Sequence, residues 1–336
     1  MEQVAVSGAS GFIGSAVVRK LLAQGRQVRA LLEPGARTKN LDGLALEGLS
    51  GEVERFTVDV CDFEGMARAL DGCSAFYHLA AIYQVWTPDP TAIHRVNIEG
   101  TTTALLAAKA TRVPRVVYTS SIAAVGLPGD GTPADESVAY NLHDVANDYI
   151  LTKHLSERIA MRFAEAGTPI VVVNPAFPFG PRDITPTPTG GIILSLLRGQ
   201  VPAVGEGGFC AIDVDDVAAA HVAAETRGRV GERYILGNHN ISFRDFCELV
   251  CRIAEVKAPS ISVPGWVGQS IAKGMELWAD HTGKAPPTTV KGLRYLQMNA
   301  FFDNTKARTE LELQCTPLED SVRRAIDYFR AEGMVR

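Results

Sequence analysis

The chain has 336 residues, of which 46% are hydrophobic and 21% are charged, and its formal net charge is −5. A chain of this length and composition buries a large apolar core, which excludes intrinsic disorder as the default state. The negative net charge provides no positive field for nucleic acid or an anionic membrane, so a small-molecule partner is favoured.

The cysteines and the N-terminal segment give no sign of export or of metal binding. The six cysteines form no CxxC pair and no His/Cys group at zinc-ligand spacing. We therefore expect buried, unreactive thiols and no metal site. The first residues lack a basic n-region, and no apolar run approaches the roughly 18 residues of a membrane span. These features predict a reduced, cytoplasmic protein.

Short apolar runs alternate with helical patterns along the first half of the chain. A helix is predicted from about Phe12, and a long Ala-rich helix follows Pro90. The runs are VAVSG, VRALL, VERFTV, AFYHLA, RVVYTSS and PIVVVNP. Runs that are apolar on both faces and that alternate with helices indicate a parallel sheet covered by helices. We therefore predict an α/β, doubly wound domain over residues 1–175.

A smaller second lobe is predicted over residues 176–336, where the texture changes to Pro, Gly and Thr and the strands become brief. We expect the chain to return to the first domain within residues 208–240. In the helical segment PGWVGQSIAKGMELWADHTG, four apolar residues lie near one face; they are Val267, Ile271, Met275 and Trp278. We interpret this face as packed against the first lobe, with a membrane or a partner as the alternatives.

A glycine-rich turn follows the first predicted strand. In SGASGFIGS, Gly8, Gly11 and Gly14 stand between this strand and the first helix. Glycines at this spacing let the backbone approach a pyrophosphate, whose charge then lies at the helix N-terminus. The turn therefore predicts a Rossmann-type dinucleotide-binding domain.

An acidic residue at the end of the second strand bears on the choice of cofactor. Glu33 stands at the place, about 20 residues on, where an acid binds the adenine ribose hydroxyls. Its carboxylate beside a 2′-phosphate would cost about 1 to 4 kcal/mol at about 4 Å. We therefore predict NAD as the cofactor. Arg37 and Lys39 lie close enough along the chain to bind a phosphate, so NADP is the alternative.

Seven motifs in order resemble the extended short-chain dehydrogenase/reductase family across nearly the whole chain. They are GASGFIG, DVCD, HLAA, NIEGT, YTSS, the Tyr149/Lys153 pair and NPAFPFGP. Within this family the chain is similar to dihydroflavonol-reductase-like proteins and to the hopanoid-associated sugar epimerases, through GLPGDGTPADE and GPRDITPTPTG. The resemblance implies an NAD(P)-dependent enzyme. It also implies a homodimer formed through the helix near residues 91–111 and the helix that carries Tyr149.

The resemblance assigns the chemistry to four residues. Tyr149 and Lys153, alone, would be typical of a solvated helix face; after a Ser-bearing strand end they are interpreted as the acid/base and the lysine that lowers its pKa and binds the nicotinamide ribose. Moving a tyrosine pKa from about 10 to near 7 requires about 4 kcal/mol. Ser121 would orient the substrate oxygen, with Ser120 as the alternative. Asn97 would support this network, or would simply be solvated.

The remaining site predictions concern cofactor and substrate contacts. The predicted cofactor-binding residues are Gly8, Ser10, Gly11, Phe12, Ile13, Gly14, Glu33, Arg37, Asp59, Val60, Leu79, Ala80, Ala81, Thr119, Tyr149, Lys153 and Pro175. The predicted substrate-binding residues are Tyr83, Trp86, Ser121, Phe177, Phe179 and Thr187. Aromatic walls with a few hydroxyls suit a ring-bearing or apolar substrate, although each residue alone is equally typical of core packing.

Three functions remain open at this point. A carbonyl reductase or alcohol dehydrogenase is favoured. A nucleotide-sugar epimerase or dehydratase with retained NAD comes second, because GEGGFCAIDVDD lacks the arginine and histidine that such enzymes commonly carry there. A nucleotide-sensing regulator without catalysis comes third, since such proteins typically lose the Tyr/Lys pair.

Overall fold

The computed structural model describes residues 2–286 and 288–335 of the chain, except for the side chains of residues 45 and 46. Its strands are β1 (Gln3–Ser7), β2 (Gln27–Leu32), β3 (Val53–Thr57), β4 (Ala75–His78), β5 (Val116–Thr119), β6 (Ile170–Pro175), β7 (Phe177–Phe179), β8 (Ala203–Val204), β9 (Gly208–Asp213), β10 (Arg233–Leu236), β11 (His239–Ser242) and β12 (Ile261–Ser262).

The helices are given for the same described residues. They are α1 (Phe12–Ala23), α2 (Phe63–Leu70), α3 (Thr91–His94), α4 (Thr101–Ala110), α5 (Asp148–Glu165), α6 (Pro188–Leu197), α7 (Val214–Arg227), α8 (Phe243–Ala254), α9 (Gly265–Thr282), α10 (Val290–Gln297), α11 (Thr305–Glu310) and α12 (Leu318–Ala331). A π-helical turn, Arg95–Gly100, joins α3 to α4 without a break, and short 3₁₀ turns occur at Lys39–Leu41, Leu44–Glu47 and Ile122–Ala124.

The main sheet is parallel and, within the described residues, has seven strands in the order β3-β2-β1-β4-β5-β6-β10. This arrangement confirms the predicted α/β doubly wound fold. The chain first builds β1, β2 and β3 toward one edge of the sheet. It then crosses back to place β4 on the other side of β1 and continues through β5 and β6 toward the opposite edge. In such sheets, ligands bind at the carboxyl ends of the strands where the order reverses. The reversal places the ends of β1 and β4 at the centre of the predicted cofactor site.

Helices cover both faces of the main sheet, which explains why its inner strands β1, β4, β5 and β6 are largely apolar. On one face, Val4 and Val6 pack in a cluster with Leu21 of α1 and Val217 of α7. On the other face, the cluster is formed by strands together with α2, α4 and α5, and includes Ala5, Phe76, Met66, Leu105 and Ala160. The inner strands of the main sheet are therefore a buried support for the loops at its carboxyl edge, whereas the edge strand β3 is partly exposed.

The rest of the chain forms a smaller mixed unit. Its sheet has the order β11-β9-β7, with β7 parallel and β11 antiparallel to β9, and β8 pairs with β12. Phe209, Phe246 and Phe329 lie in its core. The strand β10 belongs to the main sheet, and α7 packs on α1, so the stretch 208–240 supplies elements to both units.

Helix α9 does not bury the apolar face that the sequence suggested. Ile271 is 49% exposed and Trp278 is 52% exposed, whereas Ala272 and Ala279 are buried. The helix packs on α10, and its buried residues are two alanines, whereas its large side chains lie outside. The interpretation of this face as packed against the first lobe was therefore wrong.

The cysteines follow the prediction of buried thiols only in part. Cys73, Cys210, Cys247 and Cys251 are buried as expected, but Cys61 is only partly buried and Cys315 is exposed. Cys315 lies in the loop between α11 and α12. Within residues 2–286 and 288–335, no helix is long and apolar enough to span a bilayer, and no group of three potential metal-ligating side chains occurs.

Candidate functional site

The glycine turn between β1 and α1 leaves no space for a side chain at Gly8 or at Gly14. Gly8 has a φ of +66°, and a Cβ atom there would lie 2.9 Å from the amide nitrogen of Ala80. A Cβ atom at Gly14 would lie 2.0 Å from the carbonyl oxygen of Gly8. No side chain caps the helix N-terminus that begins at Phe12, so its first N–H groups stay available to an anion. The turn fits a dinucleotide pyrophosphate.

A buried serine–histidine pair, which the sequence analysis missed, joins the ends of β1 and β4. Ser7 Oγ lies 2.8 Å from His78 Nδ1 and accepts hydrogen bonds from the backbone N–H groups of Leu79 and Ala80, at 3.1 and 3.2 Å. Burial lowers the pKa of His78 to about 3, so its ring is neutral. The pair fixes the backbone of Leu79 and Ala80 beside the glycine turn.

The loop after β2 carries the residues that bear on cofactor choice. Glu33 and Arg37 are both exposed there, whereas Lys39 forms an ion pair with Glu332. Asn40 is 3% exposed, and its Nδ2 atom donates to the carbonyl oxygens of Ser10 and Arg182, each at 3.1 Å. Asn40 therefore ties the glycine turn to the loop after β7, a role that nothing in its sequence neighbourhood indicates.

Asp59 and Val60 follow β3 at the same edge of the sheet. The backbone N–H of Cys61 donates to Asp59 Oδ1 at 2.9 Å, and the Arg95 guanidinium lies 2.6 Å from Asp59 Oδ2. These two contacts, the Cys61 one first, hold the pKa of Asp59 below its usual value. Val60 packs against Gly100, where a Cβ atom would lie 2.6 Å from its methyl group. These contacts hold the segment in place at the carboxyl edge of the sheet and keep the Asp59 carboxyl ionised.

Tyr149 and Lys153 lie on the first two turns of α5, facing the end of β5. The Asn147 side chain caps this helix by accepting from the N–H of Ile150 at 2.9 Å. Lys153 Nζ is buried and donates to the carbonyl oxygen of Thr119 at 2.9 Å. An ammonium has three N–H donors, so two remain for other acceptors such as ribose hydroxyls. Burial lowers the pKa of Lys153 to about 8, and Glu157, one helical turn further on, opposes that shift.

The pKa of Tyr149 moves in the direction opposite to the one expected from sequence. Burial raises it to about 12, and a hydrogen bond with Ser121 opposes the rise. The phenolate loses its hydration on burial, and the Ser121 hydroxyl offsets only part of that loss. In the protein alone Tyr149 is therefore a fully protonated hydroxyl; a positively charged nicotinamide ring would act to lower this pKa.

Ser121, rather than Ser120, lies at Tyr149. Ser121 Oγ accepts from the N–H of Ala123 at 3.1 Å and is close enough to Tyr149 to shift its pKa. Its carbonyl oxygen accepts from Asn174 Nδ2 at 2.9 Å, which fixes the backbone. Ser120 Oγ is buried and has no hydrogen-bond partner among the described residues. The geometry favours Ser121 as the hydroxyl that can share a substrate oxygen with Tyr149.

Asn97 lies in the π-helical turn and is 2% exposed, which excludes the solvated alternative. Its Oδ1 atom accepts from the N–H of Ile82 at 2.8 Å, and its Nδ2 atom donates to Ile82 O at 3.1 Å and to Thr152 Oγ1 at 3.0 Å. Asn97 thus joins the loop after β4 to the helix that carries Tyr149 and Lys153. It is a positioning residue in this structure.

The predicted substrate residues do not all reach this site. Tyr83 does, because its ring centroid lies 4.5 Å from that of Tyr149. Trp86 is partly exposed on the following loop. Phe177 packs on Phe209 with 4.9 Å between ring centroids.

Two of those predictions are corrected. Phe179 is 1% exposed and its ring lies 4.8 Å from that of Phe246, so it is a core residue of the smaller unit. Thr187 is the N-cap of α6: its Oγ1 atom accepts from the N–H of Gly190 at 3.3 Å and donates to Asp183 Oδ2 at 2.7 Å. A hydroxyl engaged in a cap and in a carboxylate contact is not available to a substrate.

The glycine turn, the buried lysine and the tyrosine beside the switch point define a dinucleotide-dependent oxidoreductase of the short-chain type. The sequence model of a protein family, described as the NAD dependent epimerase/dehydratase family, matches residues 4–237. The chain belongs to this family. It is an NAD(P)-dependent oxidoreductase, as the extended short-chain resemblance implied.

Three similar proteins illustrate the range of the family. A putative dihydroflavonol 4-reductase of Synechocystis sp. is 37% identical over 98% of this chain and 95% of its own length. Sterol demethylase protein B of Methylococcus capsulatus is 30% identical over 98% of this chain and 99% of its own length. The crystal structure of PA4631, described as a nucleoside-diphosphate-sugar epimerase from Pseudomonas aeruginosa, is 26% identical, with a TM-score of 0.82 over 100% of this chain and 99% of that one.

Proposed function

We propose that the protein transfers hydride between a nicotinamide cofactor and the carbonyl or carbinol carbon of a small, ring-bearing or apolar substrate, with Tyr149 as the acid/base. The observation that carries the proposal is the convergence of Tyr149, Ser121 and Lys153 at the end of β5, beside the switch point of the sheet. A protonated tyrosine next to a buried lysine is what the reduction of a carbonyl requires.

The balance of the reaction follows from these groups. When bound, a dihydronicotinamide would supply hydride to the carbonyl carbon. The C=O π electrons move to the oxygen, which takes the proton of the Tyr149 hydroxyl, and Ser121 orients that oxygen. Lys153, whose pKa is about 8, is charged near neutral pH and stabilises the phenolate that remains until solvent returns a proton. Oxidation of the alcohol follows the same steps in reverse.

The test of this function uses matched ring ketones with NADH and NADPH, followed by the absorbance of the reduced cofactor. We expect consumption of one reduced cofactor for each alcohol formed. A substrate that changes configuration without net cofactor consumption would instead support the epimerase function.

The ring-bearing substrate class is supported by Tyr83, whose ring lies against that of Tyr149. The names of two relatives, a dihydroflavonol reductase and a sterol demethylase protein, also refer to polycyclic compounds.

The homodimer stays a prediction; Leu106 on α4 and Leu155 on α5 are exposed apolar side chains that it would cover.

The nucleotide-sugar epimerase function is second, favoured by the likeness to the Pseudomonas aeruginosa protein. Against it stands the turn before β9, where such enzymes would place an arginine. A Cβ atom at Gly207 would lie 2.2 Å from the carbonyl oxygen of Leu296. A side chain therefore does not fit there without moving the backbone of α10.

We further propose NAD over NADP because Glu33 is exposed at the end of β2, while Lys39 is engaged by Glu332. Wild-type protein is expected to bind NADH at least about tenfold more tightly than NADPH, a difference of about 1.4 kcal/mol. Removing the charge in Glu33→Gln should bring the ratio close to one, as measured by fluorescence titration.

The control for this experiment is Glu64→Gln, which makes the same charge change on the exposed first turn of α2. It should leave the ratio unchanged. Equal affinity of the wild-type protein for both cofactors would contradict the role given to Glu33.

A further inference from the structure

A chain of polar side chains leads from the backbone of Ser121 away from the reacting centre. Asn174 Nδ2 donates to the carbonyl oxygen of Ser121 at 2.9 Å and to Glu157 Oε2 at 2.5 Å. Glu157 Oε1 accepts from Arg233 Nη1 at 2.8 Å. Asn174 is 0% exposed and Glu157 is 4% exposed. A carboxylate is costly to bury unless it is paired, so its place behind Ser121 calls for a physical reason.

The ladder that joins β5 to β6 ends just before Ser121. The register of the two strands ends at Thr119 and Val173, and the N–H of Ser120 donates to the carbonyl oxygen of Val173 at 2.8 Å. Ser121 is the next residue and opens a 3₁₀ turn, so the ladder no longer holds its backbone. The side chain of Asn174 supplies this support instead.

The orientation of the Asn174 amide follows from its two partners. The Ser121 carbonyl and the Glu157 carboxylate are both acceptors, so both must face the NH₂ group, which has two donors. The Oδ1 atom of Asn174 then has no hydrogen-bond partner among the described residues. A reversed amide would place its oxygen against two acceptors, so one unpaired Oδ1 atom is the smaller cost.

Glu157 is fixed from two sides. It follows Lys153 by one helical turn and Tyr149 by two, so it lies on the same face of α5. Arg233 on β10 is itself anchored, because its Nε atom donates to the backbone carbonyl oxygen of Glu136 at 3.0 Å. A carboxylate accepts on both oxygens and therefore satisfies both of the donors that it meets here.

We propose that Glu157 is a positioning residue for carbonyl reduction, because it fixes the Ser121 hydroxyl through Asn174. This inference rests on the proposed function, in which Ser121 orients the substrate oxygen. Displacement of a reacting group by about 1 Å can lower a rate by about a hundredfold. The support of Ser121 should therefore affect kcat much more than it affects cofactor binding.

The test is Glu157→Gln, assayed with a ring ketone and NADH. Glutamine has the same size, but its oxygen stays with the charged Arg233 and its NH₂ group then faces that of Asn174, which breaks the link. We expect kcat to fall at least about tenfold, while NADH affinity stays within about twofold. The assay is run near pH 6, below the Lys153 pKa of about 8, so that Lys153 keeps its charge.

A double-mutant cycle with Ser121→Ala tests whether Glu157 acts through Ser121. Ser121→Ala removes the hydroxyl that these contacts hold in place. In this background, Glu157→Gln should therefore change kcat by less than about twofold. A merely structural role would lower kcat by the same factor in both backgrounds, and that result would overturn the inference.

Asn174→Ala is a second variant, which leaves the ion pair between Glu157 and Arg233 intact. It should lower kcat and couple to Ser121→Ala in the same way, because it removes the same support of the Ser121 backbone. The cycle can therefore be completed even if Glu157→Gln does not fold.

The matched control is Glu136→Gln. The Glu136 carboxylate accepts from the N–H of Ile235 at 2.8 Å, and its backbone carbonyl accepts from Arg233. This substitution removes the same charge near Arg233, from a side chain that does not contact Asn174. It should keep the wild-type kcat.

The outcomes separate this inference from the function on which it rests. The inference would be overturned, with the oxidoreductase function left standing, by a wild-type kcat in Ser121→Ala or in both Glu157→Gln and Asn174→Ala. An equal fall of kcat in Glu136→Gln would also overturn it. Failure of the wild-type protein to reduce any ketone would contradict the proposed function, and this inference with it.

Discussion

Tyr149→Phe is expected to lower kcat for carbonyl reduction by about a thousandfold, within the range usual for loss of a positioned general acid. The variant keeps the ring that packs against Tyr83 at 4.5 Å and loses only the hydroxyl. NADH affinity should therefore stay within about twofold of the wild-type value, because binding depends mainly on the glycine turn. Steady-state kinetics and fluorescence titration measure the two quantities separately.

The control for this variant is Tyr234→Phe, whose hydroxyl lies on β10 and contacts Glu310. Assayed well below its Tm, it should keep the wild-type kcat. Retention of turnover by Tyr149→Phe would show that another group donates the proton, and the assignment of the acid would be wrong.

Gly14→Ala is expected to weaken NADH binding by at least about a hundredfold. The new Cβ atom would lie 2.0 Å from the carbonyl oxygen of Gly8, so the turn must open and its N–H groups must leave the pyrophosphate position. The measurement is the rise in Tm that NADH produces, which reports binding even for a destabilised protein. This rise should be lost in Gly14→Ala at NADH concentrations that saturate the wild-type protein.

Gly274→Ala provides the matched control for that substitution. A Cβ atom at Gly274, within α9, meets no atom within 4 Å, and alanine favours a helix over glycine by about 1 kcal/mol. This variant should be as stable as the wild-type protein or more stable, with an unchanged response to NADH. A Gly14→Ala protein that binds NADH normally would contradict the position of the pyrophosphate at this turn.

The sheet and the class of enzyme were predictable because each follows from local patterns. The alternation of buried strands and helices, and the strand–turn–helix context of Gly8 and Gly14, are visible within short windows of sequence. The pairing of Ser7 with His78, by contrast, depends on the register between β1 and β4. No single window contains both residues, so the pattern around each gives no signal of the contact.

The errors have a similar origin, because the type of each residue was used to predict its surroundings in the fold. Phe179 and Thr187 were assigned to the substrate because aromatic rings and hydroxyls line pockets, but core packing and helix capping use the same groups. The direction of the Tyr149 pKa was wrong because the charge of Lys153 was counted and the burial of the Tyr149 phenol was not.

The central claim is that hydride passes between the cofactor and a carbonyl carbon, with Tyr149 supplying the proton. Its most direct test is the reduction of a ring ketone with reduced cofactor deuterated at the transferring carbon, followed by mass spectrometry of the alcohol. The account predicts one deuterium on the carbinol carbon, one oxidised cofactor for each alcohol, and loss of both in Tyr149→Phe. An alcohol without deuterium, or deuterium transfer that persists at the wild-type rate in Tyr149→Phe, would contradict it.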